Sequence, residues 1–145
     1  MKQKKIYARD LSIDLSLKQE PELFKWLLAC LLFGKPIQQE VAKRTYHEFV
    51  KEGLSTSDAI LKAGWDRLVQ VLDNGHYVRY DFSTATKLLE VMKVLKERYG
   101  TVTNLLHKSA TVDELSARLQ EFKGVGPKTV DIFLRDIAPV YYRDR

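Results

Sequence analysis

From Leu23 to Phe33, in "LFKWLLACLLF", every position except Lys25 is apolar, so a helix here has almost no polar circumference. Glu20-Pro21 supplies a start, with Leu23, Leu27, Cys30 and Leu31 on one face, and Gly34 followed by Pro36 supplies a stop. The pattern predicts a central helix buried on several sides. Ile37 to Glu52 reads as the next helix, with Val41, Ala42, Phe49 and Val50 apolar and Gly53 at its end.

In "STSDAILKAG", Ser57 is the expected N-cap of a short helix ending at Gly64, and Trp65, Leu68, Val69 and Leu72 form a further stripe that stops before "DNG". Ser83 is the expected cap of a longer helix. Its apolar Ala85, Leu88, Met92, Leu95 and Tyr99 step by three and four residues to a stop at Gly100. Thr111 and Glu114 have capping-box spacing ahead of Leu115, Leu119 and Phe122. A last helix carries Val130, Phe133, Leu134 and Ile137 inward, and Pro139 is expected to end it. With hairpin-type strand signals nearly absent and no repeat or linker, the fold class is all-α, an orthogonal helical bundle in one domain over residues 1–145.

The chain's 145 residues, 45% hydrophobic and 30% charged, suit a folded globular protein. Charge adds a direction: 24 Lys and Arg against 19 Asp and Glu give +5, which fits either a polyanionic partner such as nucleic acid or an ordinary basic surface. The single cysteine, Cys30, excludes an internal disulfide and an iron–sulfur cluster, and its apolar setting predicts a small buried hydrophobe. The basic start "MKQKKIYARD" lacks a following apolar core, and no stretch reaches membrane-spanning length, so a soluble, cytoplasmic protein is expected. His47, His76 and His107 are scattered without metal-ligand spacing, and neither a phosphate-binding P-loop nor a nucleophile elbow is present.

One stretch stands out chemically. "FKGVGPKTVDIFLRDI", Phe122 to Ile137, places Lys123, Gly124, Val125, Gly126, Pro127, Lys128 and Thr129 between two apolar helical patterns. The glycines permit positive backbone angles and a close-lying partner, and Pro127 pre-sets the first turn of the next helix. Free helix-start amides beside Lys128 suit a phosphate. The plainer alternative is a tight helix–helix corner with a solvated lysine.

The segment "LQEFKGVGPKTVDIFLRDI" resembles the helix-hairpin-helix motif of the endonuclease III superfamily of DNA glycosylases. The likeness extends upstream through "EPELFKWLLACLLFGKPIQQEVA" and "LDNGHYVRYDFSTATKLLEVMKVLKERYG", covering most of Glu20 to Ile137. The resemblance implies a six-helix barrel that grips double-stranded DNA, damaged or abasic, through the hairpin amides and extrudes a nucleotide for base-excision repair. In bifunctional members the lysine after the hairpin attacks the sugar C1′ and forms a Schiff base, a DNA glycosylase and AP lyase mechanism. Here that position is Lys128. The chemistry asks for a partly neutral amine, which burial and nearby cations favour.

The family also uses an aspartate beyond the second hairpin helix, and by count it falls at or just past Arg145. Asp136 lies eight residues from Lys128 on one helix, about 12 Å along its axis, and Asp131 suits a helix-dipole role. Asp144 is therefore the candidate catalytic carboxylate, or else part of a charged tail, "YYRDR". Cluster-binding cysteines are absent, so no cofactor is implied. Where many members carry a base-replacing glutamine, "LLFGKPIQQ" offers Lys35 with Gln38 nearby. Lys35 is either that residue, a phosphate contact or a solvated charge. Tyr77 and Tyr80 are candidates to wedge or stack on a base, with Arg79 on the backbone, or to pack beneath their own loop. The resemblance further implies association with the nucleoid. A non-catalytic module that recognises damaged or bent DNA, with a protein partner or a second copy completing the cleft, is the alternative.

Overall fold

The computed structural model describes residues 4–142. Among them the order is a 3-10 turn at Ala8–Leu11, then α1 (Glu20–Phe33), α2 (Gln39–Lys51) and α3 (Ser57–Asn74). A second 3-10 turn, Val78–Tyr80, precedes α4 (Asp81–Arg98), α5 (Val102–Lys108), α6 (Val112–Gln120) and α7 (Pro127–Tyr141). No strand occurs among the described residues, and the fold is all-α. None of the helices is long and apolar enough to cross a membrane.

The nearly unbroken apolar run sits where its composition requires. Leu23, Phe24 and every residue from Trp26 to Phe33 are buried, and α1 touches α2, α5 and α7. Trp26 donates its indole N–H to the Phe133 carbonyl of α7 at 3.1 Å, which satisfies the one polar atom that ring carries into the core. Cys30 is fully buried, and that burial pushes its thiol well above the ordinary range.

Several local expectations shift by a residue or more. Thr56, not Ser57, caps α3 by accepting from the Ala59 amide at 3.1 Å. The two stripes expected on either side of Gly64 run on as α3, broken only by non-helical geometry at that residue. Ser83 does not cap α4, which starts at Asp81; its hydroxyl donates to the Tyr80 carbonyl instead. Thr111 caps α6 through the Glu114 amide at 3.1 Å, while the Glu114 carboxylate reaches the Ala110 amide, one residue before the capping-box partner. Pro139 lies inside α7 rather than ending it. Only the bond to the Arg135 carbonyl is forfeited so near the helix end, and buried Tyr142 anchors that end through its hydroxyl on the Ser109 carbonyl at 2.8 Å.

The C-terminal end of α1 positions everything that follows. A helix leaves its last four carbonyls without intrahelical partners, and a buried end must find others. Cys30 accepts from the Gly34 amide at 2.9 Å, Leu31 from the Lys87 ammonium of α4 at 2.9 Å, and Leu32 from the Tyr77 hydroxyl. Gly34 then lets α7 come in close: a Cβ there would lie 2.1 Å from Thr129 Oγ1. Gly34 itself has right-handed helical angles, φ −73° and ψ −14°, so its need for glycine is steric and not conformational.

Gly34→Ala is expected to lower stability by about 1–3 kcal/mol through overpacking. Adding Thr129→Ala should recover part of that loss by removing the clashing hydroxyl. Chemical denaturation of both variants checks this; equal stability of Gly34→Ala and the parent would refute the close approach.

Candidate nucleic-acid interface

The turn between α6 and α7 divides its residues cleanly between inside and outside. Gly124 takes a left-handed φ of 89°, which lets the chain reverse between Lys123 and Val125. Val125 turns inward, 7% exposed, and its amide is used by the Phe122 carbonyl at 3.1 Å. Gly126 is the N-cap of α7 with φ −110° and ψ −174°, extended backbone open to any residue, so the expected positive angle occurs at Gly124 alone. What distinguishes Gly126 is free space, since a Cβ there would meet nothing within 4 Å. Pro127 follows at the first helical position.

This division takes two of the sequence-predicted side chains inward. Val125 and Thr129 are buried and hold the turn down, Thr129 against Gly34 and Val125 in the core. Their side chains hold the turn in place, and any contact they make at the surface is through the backbone. Lys123, Gly124, Pro127 and Lys128 are exposed around the unused amides at the start of α7.

Lys128 itself is exposed, so the burial expected for a neutral nucleophile is absent. It lines a cleft of about 220 Å3 with Lys4, Lys5, Gln39, Asp131 and Arg135. Asp131 is thus the carboxylate that shares a cleft with Lys128, and Arg135 holds it at 3.2 Å while also donating to the Ile6 carbonyl at 2.7 Å. Asp136 points to the N-terminal segment, accepting from the Ala8 amide at 2.6 Å. Asp144 lies outside the described residues.

The loop before α4 also divides. Tyr77 is fully buried with its hydroxyl on Leu32, so it is a core residue and not a wedge. Burial raises its phenol well above the ordinary value. Tyr80 is half-buried and lies under two cations, with Lys35 Nζ 5.3 Å and Arg79 Cζ 5.4 Å from its ring centroid. Lys35, Arg79 and Tyr80 are therefore brought together as a basic, aromatic-centred group. Gln38 is exposed at the N-cap of α2 and makes no side-chain cap. The histidines form no metal set: His76 Nδ1 lies 2.8 Å from Arg44, His107 sits in the last turn of α5, and no metal-holding cluster occurs among the described residues.

The residue that sequence reading missed is Lys87. It stands on the inner side of α4, 7% exposed, and Gly124 packs on its stem: a Cβ at Gly124 would lie 3.0 Å from its Cγ and Cδ. Desolvation, with the charge of Lys35 in support, pulls the Lys87 ammonium down to about 8. The available signal was its position three residues after Thr84 and one before Leu88, both buried, in a helix whose stripe was read without it.

The pH consequence has a definite sign. Below pH 8 Lys87 is charged in both folded and unfolded chains, and its contribution is constant. Above 8 the folded protein releases that proton while the unfolded chain keeps it up to about 10.5, so stability rises with pH. Buried Cys30 opposes that rise once the free thiol ionises near 9, and buried Tyr46 and Tyr77, held protonated in the folded state, turn the trend downward once free tyrosine ionises near 10. Stability is expected to climb by about 1 kcal/mol between pH 8 and 9 and then to level off, and Lys87→Met should remove the rise and leave a decline. Urea titrations across this range measure it; an unchanged slope in Lys87→Met would assign it to another group.

Compared with known proteins, the chain matches no family model, no curated protein and no solved structure.

Proposed function

We propose that this chain binds double-stranded DNA through the α6–α7 turn, as a helix-hairpin-helix protein of base-excision repair, with Lys128 as the Schiff-base lysine of a DNA glycosylase and AP lyase. The observation that carries the reading is the turn's arrangement. Gly124 reverses the chain, Val125 and Thr129 face inward, and Gly126 leaves open space beside the free amides of α7 and the exposed Lys123 and Lys128. A phosphate approaching Gly126 meets backbone donors, the positive end of a 15-residue helix and two ammonium groups at once. The orthogonal six-helix arrangement belongs to the same proposal.

In the catalytic form, the neutral Lys128 amine adds to the C1′ aldehyde of an abasic sugar, water leaves, and the imine activates the sugar for strand cleavage. Asp131 is the carboxylate within the same cleft. A second reading has a specific observation behind it: Lys128 is exposed and Asp131 is already held by Arg135. That favours a non-catalytic module recognising damaged or bent DNA, with a partner protein or second copy completing the cleft.

Incubation with duplex DNA carrying an abasic site, followed by borohydride, is expected to trap a covalent adduct that Lys128→Ala abolishes. The variant should still bind duplex, with a salt slope reduced by about one. Salt-sensitive duplex binding without an adduct would establish the non-catalytic module. Absence of duplex binding at low salt would overturn the DNA reading.

A further inference from the structure

A second cleft, of about 200 Å3 and lined by Gly124, gathers Lys35, Lys87 and Lys123 from three separate segments. Ser83, Thr86 and Glu90 of α4 complete its wall. Three lysines and a single carboxylate therefore line it. Lys35 is steadied over the Tyr80 ring, and Lys87 is fixed by the Leu31 carbonyl with its stem under Gly124. Such a concentration of like charge, with one member nearly buried, is relieved by an anion.

The cleft continues into an aromatic surface. Thr86 Oγ1, in the wall, accepts from the Trp65 indole N–H at 3.1 Å. Trp65 in turn packs on Phe82, their centroids 5.0 Å apart. Phe82 is 60% exposed and Trp65 37%, an unusual exposure for two adjoining large rings. On a helix Phe82 and Thr86 form one row, and Ser83, Lys87 and Glu90 the row beside it, so the Phe82 ring adjoins the residues that α4 contributes to the cleft.

We propose that this face binds an unpaired stretch of DNA, with a backbone phosphate in the three-lysine cleft and a base stacked on the Trp65–Phe82 pair. The inference rests on the DNA reading above for its class of partner; it shares Lys123 with that reading and adds Lys35, Lys87, Trp65 and Phe82. A base within a duplex has both faces covered by its neighbours, whereas an unpaired base offers a face to an exposed ring. Stacking accepts any base, so the site recognises strand separation and not sequence.

The two tryptophans make the test direct. Trp26 is fully buried and hydrogen-bonded to Phe133, so a ligand on the surface quenches Trp65 alone. Titration with decathymidylate is expected to quench tryptophan emission in a salt-dependent manner, and Trp65→Phe should lose the quenching. Anisotropy of a labelled decathymidylate should show Phe82→Ala weakening binding about fivefold or more, and the Lys35→Glu, Lys123→Glu pair about tenfold or more. All four changed side chains reach the surface, and matched circular dichroism and thermal midpoints confirm folding. Decathymidylate binding without quenching, or with affinity unchanged in these variants, would overturn the proposal, as would absence of binding at low salt.

Gly126→Asp separates this site from the duplex reading. It fills the open space at the α7 start with a negative charge and is expected to abolish duplex binding while leaving decathymidylate quenching intact. If the parent protein fails to bind duplex yet is quenched, the duplex reading falls and the single-strand site stands. If it binds duplex and is never quenched, the reverse holds.

Discussion

The carbonyls that α1 leaves without intrahelical partners at its buried C-terminal end are the constraint on which the arrangement turns. A helix this apolar is driven into the core along its whole length, and its end goes with it. Burying that end strips water from carbonyls that need donors, at about 1–3 kcal/mol for each one left unmade. The donors come from far along the chain: Lys87 serves Leu31 and Tyr77 serves Leu32, while Gly34 admits Thr129 against the same end. Satisfying one helix end thereby fixes the positions of the loop before α4, of α4 itself and of the start of α7.

That solution carries an electrostatic cost which shapes the surface above it. A lysine reaching a buried carbonyl leaves water behind, and Lys35 lies close enough to add repulsion. A neutral donor would avoid both, as Tyr77 does on the neighbouring carbonyl. The ammonium does offer charge complementarity to the negative end of α1, worth up to about 2 kcal/mol in partly buried geometries. It also leaves a cleft beside Gly124 that is rich in cations before any ligand arrives.

Helix content was legible because it rests on periodicity, and α1, α2, α4, α6 and α7 lie close to where their stripes and stops put them. Features that depend on distant partners were not. The N-terminus of α5, capped locally by Thr101, is completed by Glu20, which accepts from the Val102 and Thr103 amides at 3.0 and 2.8 Å across more than 80 residues of chain. Nothing within "TVTNLLHK" announces that carboxylate. Inside the turn, residue identity named the segment without orienting its side chains. Val125, Thr129 and Tyr77 read as contacts by their place in a pattern, and packing against α1 and the core takes all three inward. Lys87 drew no notice for the opposite reason: a charge is assumed to be solvated until a buried acceptor is seen.

The inward turn residues nevertheless explain why the outward ones can serve a ligand. Free amides on a mobile loop would have to be ordered on binding, with a loss of affinity for each residue fixed. Here Val125 is held by the core and Thr129 by Gly34, and Pro127 sets the first angle of α7. The intervening Gly124, Gly126 and Lys128 therefore begin with little backbone freedom to lose. Lys35 and Lys87 are fixed on the same helix end. Both clefts beside the turn thus derive their pre-organisation from α1, and a loosening of its C-terminal contacts would disturb them together.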